Sequence, residues 1–562
     1  MRTLRTHASV LTALLLIAAF SLPAAVAGTR PHPKISHDLA DAIHRRGSDP
    51  IEIIVETDPQ GRARARGRVT DKGGAVHRDL NCISGFSATM AASDIASLAD
   101  DPKVKHISVD HRIAPAMDIA AGAAGAAWTR RLVPGDLTGA GVGVAIIDSG
   151  IYAHEDLGDR VSAWVDLLGP GLRDVHVKAR DPLGHGTHIA GIVAGASIPA
   201  PDGKGTLGGL APGAHLVSLR VLDKDGSGRS SDIIAALDWC IEHAGEFGLR
   251  VVNISLGQIV AEPVAFDPLA HAVERAWENG LVVVAAAGNL GTVASGYGTI
   301  LSPGNDPLVI TVGALDDHAT PDPRDDDTAV YSSRGPARFD MTLKPDLVAP
   351  GTAIISLRVP HSTFDRMMPD ARVSVSRIGR GKAFDARYFE MSGSSMSTAL
   401  VSGAAALMLE EDPTLSPDDV KARLMRHAHP VRGENIYTRG AGAVDVAETL
   451  SAGGHADSSA SPGVDTADGQ VVIAATGPSW GDPALWSLEE LYGAPDLWGE
   501  EAPQTVDFFT DPCMTGEGLG WQNGLGWQNG LGWQNGLGWQ NGLGWQNGLG
   551  WQNGTDSGTC PF

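Results

Sequence analysis

Two kinds of apolar spacing divide this chain. Between Pro33 and Pro115 the periodic runs are short. Ile51 to Val55, Ile83 to Met90 and Lys105 to Val109 read as strands, and Ser93 to Ala99 has the spacing of a short helix. This is the pattern of a small α+β unit. Asp118 to Trp128, rich in alanine and glycine, reads as an exposed joint after it. From about 119 to 450 the pattern changes. Apolar runs at Gly143–Ile147, His215–Val221, Val251–Leu256 and Leu281–Ala287 alternate with helical spacing at Thr187–Ala196, Ser231–His243 and Leu269–Asn279. Helical spacing returns at Thr398–Glu410 and Ser416–His427. Continuous apolar strands separated by helices predict an α/β fold, a mostly parallel sheet with helices on both faces. Sites in such sheets collect at the carboxyl ends of strands. Asp148 and Asn289 both stand where an apolar run stops.

The two ends follow other rules. Arg2 and Arg5, the apolar stretch Val10 to Phe20 and Ala25-Val26-Ala27 together make a secretion signal over residues 1–27. Ser451 to Asp468 is rich in Ser, Gly, Ala and Asp and reads as a flexible linker, and the rest of 451–512 carries no chemistry. In the tail, 513–562, Leu-Gly-Trp-Gln-Asn-Gly occurs six times from Leu519 to Gly554. Regularly spaced tryptophans suit stacking on a glycan or docking on a surface partner. A glycine-rich spacer grown by duplication is the plainer reading, and the sequence leaves both open.

Composition narrows the function classes. A formal charge of -23 disfavours nucleic acid as a partner. Beyond the N-terminus no apolar run is long enough to span a bilayer. With the signal, this predicts a secreted or cell-surface protein. Four cysteines allow three pairings, and none of them forms a Cys-x-x-Cys. Cys513 and Cys560 bracket the repeats and suggest a disulfide-closed loop. Cys240 lies in a helical pattern that suggests a buried thiol.

The chemistry is carried by three distant segments. Asp148 lies in Ala-Ile-Ile-Asp-Ser-Gly, His185 in Gly-His-Gly-Thr-His, and Ser395 in Gly-Ser-Ser-Met-Ser-Thr. A serine hydroxyl is a poor nucleophile at neutral pH. It needs a base for its proton and a carboxylate to orient that base. Each residue also has a plainer reading. Asp148 suits a turn cap, Asn289 a turn in Gly-Asn, and Ser394 competes with Ser395 as nucleophile. His185 and His188 are spaced like a metal pair, yet no third ligand of matching pattern is visible. Gly139 to Gly143 precedes its strand, which favours a turn over a nucleotide loop.

Together these segments resemble the signature motifs of the subtilisin-like serine proteases, in subtilisin's order Asp, His, Ser. Val282 to Asn289, Tyr331 to Pro336 and Leu343 to Gly351 are also similar to that family. The resemblance covers about Ile51 to Leu450. It implies a catalytic domain over 118–450 and an inhibitory propeptide over 28–117. It implies Ser395 as nucleophile, His185 as base, Asp148 as its orienting acid and Asn289 as oxyanion donor. The family pattern also aligns Ser394 with threonine, which favours Ser395. Ser255, Leu256 and Gly257 would pair with an extended peptide as an added strand. Asp156 resembles a calcium-ligand position of some members, so calcium is expected, if at all, as a structural ion, and no cofactor is required for the chemistry. Expected partners are protein or peptide substrates and the chain's own propeptide.

Two features depart from the family. Ala399 stands where a proline is usual, and the interval from Gly351 to Ser395 is long, with seven Arg/Lys and four Asp/Glu between Leu357 and Glu390. That interval suits either a basic cleft lining or a solvated surface loop. The expected function is a secreted, self-processing serine endopeptidase. Its rivals are a peptide ligase or macrocyclase on the same fold, and a surface-binding protein that works through its Trp repeats.

Overall fold

The computed structural model describes residues 32–116, 137–168, 179–196, 206–293, 296–318, 323–373 and 387–429, then most of 431–456 and a few short stretches from 198 to 473. The expected secretion signal, the expected joint at 118–128 and the tail with Cys513 and Cys560 lie outside the described residues.

The N-terminal unit is built as its spacing predicts, with extra elements. Strands β1 (Pro50–Thr57), β2 (Ala75–Leu80), β3 (Gly85–Ala91) and β4 (Val104–Val109) form an antiparallel sheet in the order β2-β3-β1-β4. Helices α1 (His37–Arg46), α2 (Arg62–Asp71) and α3 (Ala92–Ala99) pack on it. Ile53, Val55, Phe86, Ile95 and Ile107 fill the space between. A fifth strand, β5 (Arg112–Pro115), belongs to neither this sheet nor this core.

The larger part is an α/β fold. Strands β6 (Gly143–Asp148), β7 (Val161–Asp166), β10 (His215–Arg220), β12 (Leu249–Ile254), β14 (Val282–Ala286) and β15 (Ile310–Asp316) run parallel, in the order β15-β14-β12-β6-β10-β7. β16 (Asp327–Thr328) adds an antiparallel edge and β17 (Leu347–Pro350) pairs parallel with β15. Two-residue strands β8 (Ile198–Pro199) and β9 (Thr206–Leu207) form a small antiparallel pair apart from the sheet. The strands β6 and β14 are buried along their whole length and β12 from Val251 onward, which is why they read as continuous apolar runs.

Helices α4 (His185–Ala194), α5 (Ser230–His243), α6 (Pro268–Glu278), α7 (Thr363–Met367), α8 (Ser394–Glu411) and α9 (Pro417–Arg426) complete the frame. α4 and α8 pack on each other, and α8 crosses β12, β14 and β15. Both are buried nearly throughout, α8 from Ser394 to Leu409. Both begin earlier than their sequences predict, at His185 instead of Thr187 and at Ser394 instead of Thr398. Glycine and serine are weak helix formers, so propensity hides these first turns. Tertiary burial forms them anyway.

Candidate active site

Asp148 is the last residue of β6 and His185 the first of α4. Their side chains meet at the carboxyl edge of the sheet. The Nδ1 of His185 lies 2.8 Å from each Asp148 oxygen, with both side chains fully buried. One oxygen also accepts from the Ser149 backbone N–H at 2.7 Å. A bidentate carboxylate on Nδ1 keeps the proton there and leaves Nε2 as the acceptor. That Nε2 is buried and has no hydrogen-bond partner.

Asp181, four residues before His185, was not singled out by sequence reasoning. Its carboxylate accepts from Ser149 Oγ (2.8 Å), Gly184 N (2.7 Å), Thr187 N (2.8 Å) and Thr187 Oγ1 (2.7 Å). It ties the loop before His185 to the end of β6. Burial pushes its carboxyl above the ordinary range, and these four donors oppose the rise. The signal for it was an acid beside proline and glycine just before a buried helix. His188 turns away from this group. Its Nε2 lies 3.0 Å from the Phe389 carbonyl, and burial lowers its pKa to about 3, so it stays neutral. It forms no metal pair with His185.

Ser395 lies in the first turn of α8, fully buried. Its backbone N–H donates to the Ala116 carbonyl at 3.1 Å, and its Oγ lies 2.5 Å from the same oxygen. The Oγ also lies 2.8 Å from the Ser255 carbonyl. Ser394 instead points its Oγ at the Gly288 N–H, 3.1 Å away. Asn289 follows β14 through Gly288, whose φ of 109° is one that residues with a Cβ rarely adopt. The Asn289 Oδ1 accepts from the Ser394 N–H at 3.0 Å. This leaves its Nδ2 buried with no partner beside the start of α8.

The cleft is filled by the chain itself. β5 lies between β11 (Gly228–Arg229) and β13 (Leu256–Gly257), antiparallel to both. Pro115 faces Leu256 and Ala114 faces Gly257. The Ala116 N–H donates to the Ser255 carbonyl at 3.2 Å. The backbone of Ser255, Leu256 and Gly257 thus pairs with this strand of the same chain. Behind them runs a buried relay that sequence reasoning missed. Ser402 Oγ donates to Asn253 Oδ1 (3.0 Å), Asn253 Nδ2 to Ser255 Oγ (2.9 Å), and Ser255 Oγ to the Ser395 carbonyl (2.9 Å).

Asp156 is elsewhere. One of its oxygens accepts from the Tyr388 hydroxyl at 2.6 Å. Calcium takes six to eight oxygens, mostly from several acids or carbonyls. Among the described residues no group of three or more His, Cys, Asp or Glu is arranged to hold a metal. Cys82 and Cys240 are free thiols. Cys240 is fully buried, which pushes its pKa up.

This arrangement has relatives. The subtilase family profile matches residues 139–470. The serine protease AprX of Bacillus subtilis (strain 168) is 37% identical over 377 residues, covering 66% of this chain and 80% of that protein. Subtilisin E of the same organism is 30% identical over 379 residues, 67% of this chain and 84% of that one. Among solved structures, fervidolysin from Fervidobacterium pennivorans, a keratinolytic enzyme related to subtilisin, matches with a TM-score of 0.54 and 21% identity. That match covers 72% of this chain and 61% of fervidolysin, and it bears on the fold. The family profile spans more than half of the chain and the fold is the parallel α/β sheet that this family builds on, so the chain belongs to the subtilase family and is a serine-type endopeptidase.

Proposed function

We propose that this chain is an exported peptidase, made with an N-terminal inhibitor that it cuts off itself between Ala116 and Met117. Ser395 is the nucleophile, His185 the base, Asp148 its orienting acid, and Asn289 with the Ser395 N–H the oxyanion donors. One observation carries the reading: the Ala116 carbonyl rests on both the N–H and the Oγ of Ser395 while its N–H is held by Ser255. Ala116 thus lies against Ser395 with its backbone paired to Ser255, which supports a cut directly after it.

The steps follow from these atoms. Ser395 Oγ bonds to the Ala116 carbonyl carbon as its proton passes to His185 Nε2. Negative charge grows on the carbonyl oxygen, where the Ser395 N–H at the start of α8 and the Asn289 amide stabilise it. Asp148 stabilises the imidazolium through Nδ1. His185 then returns the proton to the Met117 nitrogen as the C–N bond breaks. Water, deprotonated by the same imidazole, releases the acyl group. Other substrates enter as β5 does, as a strand between β11 and β13.

The full-length Ser395→Ala protein tests this. It is expected to fold, to lose casein hydrolysis and to accumulate uncut, whereas the wild type yields a fragment ending at Ala116 by intact mass. Normal processing of the mutant in a host lacking other proteases, or a wild-type cut elsewhere, would remove the assignment. For the tail, we propose a Cys513–Cys560 disulfide that closes the repeats into one loop. Non-reducing peptide mapping checks it, and a Cys240 link to either tail cysteine would refute it.

A further inference from the structure

The long interval before Ser395 lies against the catalytic histidine. β18 (Ile354–Leu357), β19 (Arg372–Val373) and β20 (Tyr388–Met391) form a three-stranded base. From it the chain rises through α7, which is bonded to the loop just before His185. The Thr363 N–H donates to the Pro182 carbonyl (2.9 Å) and the Phe364 N–H to the Leu183 carbonyl (3.0 Å). The approach is close enough to need a glycine. Gly184 has φ 99°, and a Cβ there would lie 2.5 Å from Ser362 Oγ. Phe364, 1% exposed, stands against the His185 ring with centroids 6.3 Å apart and planes at 82°.

The charges of the interval hold this segment in shape. Asp365 accepts from Arg358 Nε (2.5 Å), Arg358 Nη2 (3.0 Å), Arg372 Nε (2.7 Å) and the His361 N–H (2.8 Å). Arg372 Nη2 also donates to the Asp365 carbonyl (2.7 Å). These donors hold the Asp365 carboxyl below the usual range, against the pull of burial. Arg366 is spent on the His361 carbonyl and Thr363 Oγ1, and Arg387 on Glu155. Four of the seven basic residues are therefore neither cleft lining nor idle surface. Two lock α7 into shape, one folds back on its first turn, and one ties β20 to Glu155.

We propose that Phe364 is a positioning residue for His185, and that Asp365 with Arg358 and Arg372 is the clamp that holds it there. Asp148 fixes the imidazole at one nitrogen only, which leaves the ring able to tilt about that bond. Phe364 closes one side of the space into which it would tilt and keeps water from it. Proton transfer from Ser395 depends steeply on where Nε2 lies, so a small tilt costs turnover and leaves peptide binding, made by Ser255 to Gly257, intact.

This inference rests on His185 being the base, and the experiment separates the two. Phe364→Ala, Phe364→Leu and Asp365→Asn are measured per active site titrated with a fluorophosphonate, beside Ser395→Ala. Phe364→Ala is expected to lower kcat by about tenfold or more with KM within about twofold. Leucine, which refills the space, should restore kcat to within about threefold of the wild type. Asp365→Asn should lower kcat and add little on top of Phe364→Ala. In the inactive Ser395→Ala chain, the downfield Nδ1–H resonance of His185 should broaden when Phe364 is alanine. A Phe364→Ala enzyme with kcat within twofold of the wild type, or a change in melting temperature alone, would overturn the proposal. Should Phe364→Ala fail to fold, an Asp365→Asn enzyme with unchanged kcat and a sharp His185 resonance would overturn it equally. Activity in Ser395→Ala would overturn the parent assignment instead.

Discussion

The side chain of Asn289 is turned so that its oxygen is used and its nitrogen is not. Ser394 N–H occupies the oxygen, and the buried Nδ2 waits. Replacing Asn289 by alanine should lower kcat by about 10²–10³ with KM little changed, the effect known for the corresponding loss in subtilisin itself. Steady-state kinetics on a peptide amide checks it, and a KM effect alone would assign the residue to binding. Ser402 makes a different single-residue claim. Its hydroxyl is the donor to Asn253 Oδ1, so Ser402→Ala leaves a fully buried amide oxygen without its partner. The expected loss is about 1–3 kcal/mol of stability. Calorimetry of the Ser395→Ala chain, which avoids self-digestion, is the measurement, and an unchanged melting temperature would show that the relay is not needed.

Among the elements, β5 explains most about recognition. With the residue after it, it lays Ile113, Ala114, Pro115 and Ala116 alongside β11, β13 and Ser255. Ile113 is buried and Arg112 exposed. A fluorogenic peptide reading Arg-Ile-Ala-Pro-Ala before the cut should therefore be a good substrate. Changing its isoleucine to aspartate should lower kcat/KM by about tenfold or more, because roughly 2–3 kcal/mol of apolar burial is lost and a charge is desolvated. Equal rates for the two peptides would show that the cleft does not read this side chain. Elements also explain how much was readable beforehand. β6, β10, β12 and β14 were legible because both faces are buried, and α5 and α6 because they are long and periodic. β11 was not, since two residues carry no period and its partner is more than a hundred positions away. The Asp148, His185 and Ser395 segments were legible as motifs. Asp181, the Ser402 relay and Phe364 were not, because what each one does depends on a neighbour that only folding brings close.

At the scale of the molecule, acids and histidines sit where the N-terminal unit meets the protease. Glu56 takes a hydrogen bond from His271 (3.0 Å), and His106 and Ser108 lie 2.7 and 2.6 Å from the Glu262 carboxylate. Burial would depress His271, but Glu56, with Glu274 and Asp267 nearby, raises it to about 9. Burial raises Glu262 to about 7, against the pull of His106 and Ser108. Taking ordinary values for these groups in the parted units, both shifts mean that the joined state holds protons more tightly. The His271 contribution is fully present below its ordinary pKa near 6.5 and is lost as pH rises through about 9. The Glu262 contribution has the same sign and fades between about 4.5 and about 7. Residues 28–116, added in trans to the mature enzyme, should thus inhibit about tenfold or more weakly at pH 9.5 than at pH 6. A Ki that is flat over this range, or that falls as pH rises, would contradict it, and His271→Gln should flatten its upper part.

β5 is gripped on both sides by backbone pairing, and none of that pairing involves the bond after Ala116. Cutting that bond therefore does not empty the cleft. On the function proposed above, a freshly cut molecule is still occupied by its own product, and it becomes active only when the fragment drifts out and is destroyed. Each molecule set free can destroy fragments as they leave others, so a population does not switch on at a steady pace. It should stay silent and then ignite, with a lag that shortens as the protein is concentrated and vanishes when a trace of mature enzyme is added. A chain folded in this way carries a clock, and the time it keeps depends on how much of itself is nearby.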